Sequence, residues 1–117
     1  MLKSKPKIEF LDGQNCIRFE GIFIIKSLWE EDKKLIQKIK DFINGRPKVK
    51  FEFAIFYLDS VSRKIFFEML LALKDELSTI KNLEILWQFE EEDESILELG
   101  QVLSKVLEIP FTFIKQE

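Results

Sequence analysis

Within six residues, Asp59-Ser-Val-Ser-Arg-Lys64, the chain sets two hydroxyls beside an acid and two cations, where a strand pattern turns helical. A serine at the start of a helix is a good phosphoryl acceptor. The free backbone N–H groups and positive helix end can hold an anion there, and a phosphate would add a charge of about −1.5 to −2. Arg63 and Lys64 sharpen the point. Cations in a first turn oppose the helix dipole by about 0.3–1 kcal/mol each, so they make best sense beside an added anion. The plainer account is that Asp59 or Ser60 caps the helix and nothing more happens. Ser60 is the candidate phosphorylation site, with Asp59, Ser62, Arg63 and Lys64 as its neighbours.

A second group of chemically able side chains comes after Trp87-Gln-Phe, namely Glu90, Glu91, Glu92, Asp93 and Glu94. Three accounts fit it. A solvated loop would place its last acids at a helix N-terminus. A metal site would need the alternating oxygen ligands and central glycine of a calcium loop, which are missing, so no metal is expected. Docking onto a basic partner would use clustered charge to raise the association rate and reject wrong partners. Trp29, beside acids near a helix start, is a further candidate contact, or a packing residue.

Composition removes several function classes. Among 117 residues there is no histidine, so the usual general base, the activator of Ser or Cys nucleophiles and the commonest zinc ligand are all missing. No catalytic residue and no cofactor are expected. A net charge of −3 with mixed signs lacks the basic stripe that nucleic-acid phosphates require. The single Cys16 cannot form an internal disulfide and suits a reducing compartment. Without an apolar run of about 18 residues, membrane insertion is not expected and the cytoplasm is the expected location. Residues 1–117 match the size of a single domain, with 1–6 expected to be flexible.

These candidates must be carried by regular elements, and the apolar periodicities supply them. Lys7 to Phe10 and Cys16 to Ile25 read as strands joined at Asp12-Gly-Gln-Asn15. Ser27 and Glu30 have capping-box spacing, and Leu35, Ile36, Ile39, Phe42 and Ile43 form the apolar face of a first helix that Asn44-Gly45-Arg-Pro47 stops. Val49, Phe51, Phe53, Ile55 and Tyr57 alternate, while Ala54, Phe56 and Leu58 make the second half apolar on both faces, as in a central strand covered from both sides. A second helix runs from Val61 through Ile65, Phe66, Met69, Leu70 and Leu73 to Leu77. Leu83 to Phe89 is a strand, Ile96 to Val106 a third helix, and Phe111 to Ile114 a last strand. The order β-β-α-β-α-β-α-β predicts an α/β fold with a mostly parallel sheet and an N-terminal hairpin.

The segment Tyr57 to Lys64, the run Leu83 to Gly100 and the ending Ile109-Pro-Phe-Thr-Phe-Ile114 resemble the SiaC family of bacterial biofilm-regulating phosphoproteins. In that family a tyrosine-containing strand leads to an Asn-Thr/Ser-Ser-Ser-x-Lys turn, followed by a Trp-x-Tyr-Glu-Glu-Asp-Asp-Glu-x-x-Leu-Glu-x-Gly signature. Asp59, Val61, Arg63 and Phe89 depart from that pattern. The resemblance implies a single STAS-like domain, similar to anti-sigma-factor antagonists. It also implies a partner switch, phosphorylated on Ser60 by a serine/threonine kinase of the SiaB type and dephosphorylated by a PP2C-type phosphatase. The unphosphorylated form would bind and activate a diguanylate cyclase, raising cyclic di-GMP and favouring biofilm. A STAS-type antagonist that sequesters an anti-sigma-factor kinase is the alternative. A small enzyme working through Glu91 and Asp93 is a third reading, and it lacks a histidine base.

Overall fold

The computed structural model describes residues 7–23 and 29–116. Strand β1 (Lys7–Leu11) turns through a short 3-10 segment at Asp12–Gln14 into β2 (Cys16–Phe23), and Asn15 takes the left-handed conformation at φ 51 and ψ 43 that closes the hairpin. Helix α1 (Trp29–Ile43) comes next, then β3 (Lys48–Leu58), α2 (Ser60–Ala72), the short α3 (Lys74–Ser78), β4 (Asn82–Glu90), α4 (Glu94–Leu107) and β5 (Thr112–Gln116). The strands lie in sequence order in one sheet. It is a mixed sheet rather than the mostly parallel one expected: β1 runs antiparallel to β2, and the pairs β2–β3, β3–β4 and β4–β5 are parallel. Each parallel crossover carries its helix back to the amino end of the next strand.

One further element separates the observed order from the expected one. The second helical pattern does not run unbroken to Leu77. Leu73 (φ −97, ψ −1) donates to the Leu70 carbonyl at 3.1 Å, three residues back, and this tighter turn divides α2 from α3. Both Leu73 and Leu77 are buried, so the bend keeps the apolar face on the sheet.

The helices cover one face. Register partners in a parallel ladder share a face, which gathers Ile17, Phe19, Phe51, Phe53, Ile85 and Trp87 on the same side. Phe66 of α2 meets Phe53 and Trp87 edge-on or tilted at 5.6 and 6.2 Å, and Phe42 of α1 packs on Phe10 at 5.5 Å. The other face is charged over its amino half, where Arg18 pairs with Glu20 and Glu52, and Lys50 with Glu52 at 3.2 Å. In the second half of β3 burial does extend to both faces, since Ala54 is buried opposite Phe53 and Ile55. That half also holds a β-bulge, since Gly21 pairs with Ile55 and Ile22 with Tyr57, leaving Phe56 as the extra residue. The phase shift buries Leu58 and turns Tyr57 outward, against the expected alternation.

Candidate functional site

The Ser60 turn is built by β3 and α2. Asp59 is the N-cap, in extended conformation, and its carboxylate accepts the Ser62 N–H at 2.8 Å. Its carbonyl takes the Arg63 N–H at 2.9 Å, the first helical bond. Ser60 is thus the first helical residue and not the cap. It stands exposed on the first turn, whose leading N–H groups have no partner within the helix. Ser62 is fully buried. Of the two serines in the motif, only Ser60 is open to solvent. Lys64 is exposed, while Arg63 is half-buried and reaches the Leu58 carbonyl at 3.5 Å, a long contact that leaves its Nε buried without a hydrogen-bond partner. Val61, expected on the buried face of α2, is 59% exposed because the buried face begins one residue later, at Ser62.

The acidic run divides between structure and surface. Asp93 caps α4, its carboxylate accepting the Ile96 N–H at 3.0 Å, and Glu94 sits in the first turn where the dipole favours it. Glu90 ends β4, and Glu90, Glu91, Glu92 and Glu94 are exposed, with Glu91 loosely paired to Lys115 at 3.9 Å. Among the described residues no cluster of acids and thiols is arranged to hold a metal. Behind the turn, the Trp87 indole N–H donates to the Ile96 carbonyl at 2.9 Å. The ring lies so close to α4 that a Cβ on Gly100 would meet it at 2.6 Å. Trp87, Asp93 and Gly100 therefore seat the helix, while Glu90, Glu91, Glu92 and Glu94 stay exposed.

Topology brings the candidates to one rim. In parallel strands the carboxyl ends share an edge, so Phe23 of β2, Leu58 of β3 and Glu90 of β4 all end there, and the serine turn and the acidic turn stand on neighbouring tips. The β3–β4 ladder stops at Phe53 and Trp87, beyond which β3 stays with β2 and β4 with β5. Trp29 is the first residue of α1, the helix after β2, but its side chain lies outside the described residues, as do Ser27 of the proposed capping box and residues 1–6. Sequence reasoning did not foresee the exposure of Tyr57 and Val61. They are 51% and 59% exposed on either side of Ser60, and only the bulge, invisible as a periodicity, would have released Tyr57 from the core.

The fold and site define an α/β module covered by helices on one face, with an exposed serine at a helix start and exposed acids on the next strand tip. The model of the SiaC family of regulatory phosphoproteins matches residues 2–116, and the chain belongs to that family. A crystal structure of the diguanylate cyclase SiaD in complex with its activator SiaC from Pseudomonas aeruginosa is similar in fold, with a TM-score of 0.78 at 17% identity over 97% of this chain and 93% of the matched one. A structure of SiaC of Pseudomonas aeruginosa matches at a TM-score of 0.72 and 17% identity over 97% and 90% of the two chains. The apo-SiaC crystal structure from that organism gives 0.70 and 16% over 97% and 92%. No curated protein sequence matches. Family membership makes this a regulatory phosphoprotein rather than an enzyme, and a catalytic role for Glu91 and Asp93 falls with Asp93 committed to its cap. Among the described residues no helix is long and apolar enough to cross a membrane.

Proposed function

We propose that this chain is a partner switch controlled by phosphate on Ser60, and that its unphosphorylated form binds and activates a diguanylate cyclase. The observation that carries the reading is the contrast at the start of α2, where Ser60 is exposed and Ser62 is fully buried, within a family of regulatory phosphoproteins. The activator role of the similar SiaC chain toward its cyclase supports the choice of effector. A SiaB-type serine/threonine kinase transfers the γ-phosphoryl group of ATP to Ser60 Oγ: a new O–P bond forms, the bond to the departing ADP breaks, and the hydroxyl proton is released. A PP2C-type phosphatase reverses this by hydrolysis. The whole chain acts as one STAS-like module in the cytoplasm, where ATP supplies the phosphate.

Phosphorylation would change the charge of this turn. Asp59 already places a carboxylate at the helix start, so a phosphate on Ser60 adds a second anion to the same turn and draws on Arg63 and Lys64 for compensation. Glu90, Glu91, Glu92 and Glu94 on the neighbouring tip steer a basic partner, and Trp29 remains a candidate contact. Phosphopeptide mapping after incubation with ATP and the kinase tests the reading. Phosphate is expected on Ser60 and not on Ser62. An active kinase that leaves Ser60 unmodified would end it.

A further inference from the structure

We propose that Tyr57 and Val61, with Ser60 between them, form the apolar centre of the docking surface, and that it receives an apolar segment of the cyclase flanked by Lys or Arg. The inference rests on Ser60 as the switch residue and adds which side chains the partner desolvates. Among the described residues four large hydrophobics are exposed, and two of them, Tyr57 and Val61, fall within this one five-residue turn. Neither is needed by the core, because Ile55 and Leu58 fill the buried positions of β3 and Phe66, Met69 and Leu70 those of α2. A β-branched valine exposed in a helix's first turn gains nothing from helix propensity either. Interfaces are built this way, with an apolar centre inside a polar rim.

Charge complementarity fixes the occupant. The neighbouring strand tip carries Glu90, Glu91, Glu92 and Glu94, all exposed, so a segment seated on Tyr57 and Val61 meets negative charge beside it. Basic residues flanking an apolar stretch match both parts. The two parts then do different work. The glutamates set the encounter rate and its salt dependence, whereas the Ser60 turn sets the lifetime of the complex. Phosphate placed between Tyr57 and Val61 would have to be desolvated in the middle of an apolar contact, which expels the partner even though its flanks are basic.

The test compares the wild type with Tyr57→Ser and Val61→Ser for affinity to the cognate diguanylate cyclase, for phosphorylation of Ser60 and for thermal melting. Both positions are exposed, so both variants should melt like the wild type. Each is expected to weaken binding about 10-fold, the mark of a hot-spot residue, while Ser60 is still phosphorylated. Binding within about 2-fold of a wild type that does bind would overturn the docking centre and leave the switch intact. Weakening by Val102→Ser and Val106→Ser on α4, and not by the first pair, would overturn it by moving the contact to the other exposed apolar pair. Absence of cyclase binding by the unphosphorylated wild type would overturn both the docking centre and the cyclase-switch reading.

Discussion

Two strand-to-helix turns on the same rim solve the same structural problem with the same residue and then diverge. Asp59 caps α2 by accepting the Ser62 N–H at 2.8 Å, and Asp93 caps α4 by accepting the Ile96 N–H at 3.0 Å. After Asp59 come an exposed serine, an exposed valine and two cations, whereas around Asp93 stand exposed glutamates. The cap is architecture in both turns. The side chains next to each cap are what differ, and the proposed function assigns modification to the first turn and attraction of a partner to the second.

The contrast between the turns is broken most severely from beneath. Trp87 is fully buried, stacks near Phe53 and Phe111 and ties β4 to α4 through its indole N–H. Trp87→Ala should cost about 3–5 kcal/mol and unsettle the acidic turn, read as a large drop in the chemical denaturation midpoint. Gly100→Ala ranks second, since its methyl group would press on the indole at 2.6 Å. A loss of about 1–3 kcal/mol is expected, and a neutral result would show that α4 can shift without penalty.

The caps come next, and they sharpen the contrast. Asp59→Ala and Asp93→Ala should each lower stability by about 1 kcal/mol, because each leaves one helix-end N–H without its acceptor. Function should part them. Asp59→Ala removes the resident carboxylate beside Ser60 and is expected to change the rate of Ser60 phosphorylation, whereas Asp93→Ala should leave that rate alone. Equal effects on phosphorylation would mean that helix fraying, not local charge, governs the site.

The smallest effect on stability is expected from the exposed acids. Glu91→Gln with Glu92→Gln should leave melting within about 0.5 kcal/mol of the wild type and slow association with the cyclase, most at low salt. An unchanged on-rate across salt would return these residues to the role of a solvated turn.

Most of the fold was legible because its elements are driven by burial patterns. The alternation through Phe51 and Phe53 and the helical spacing through Leu99 and Leu103 each name a buried face, and both are buried as expected. The break at Leu73 was not legible, because no glycine or proline marks it and the bend serves tertiary packing. Nor was the bulge at Phe56, which depends on how β2 and β3 pair, a property of two segments and not of one. That single extra residue turns Tyr57 out. The chemistry-bearing residues were easier. Ser60, Glu90, Glu91, Glu92 and Glu94 could be picked out as surface candidates because the core seldom takes charged and hydroxyl groups from a strand-to-helix turn, and all five are exposed. Their sharing of one rim required the parallel register of β3 and β4.

The central claim is that phosphate on Ser60 switches partner binding. Its most direct test is titration of a diguanylate cyclase with the unphosphorylated protein and with protein stoichiometrically phosphorylated at Ser60, reading cyclic di-GMP synthesis at each concentration. Activation by the unphosphorylated form alone is the predicted result. Equal activation by the two forms would contradict it.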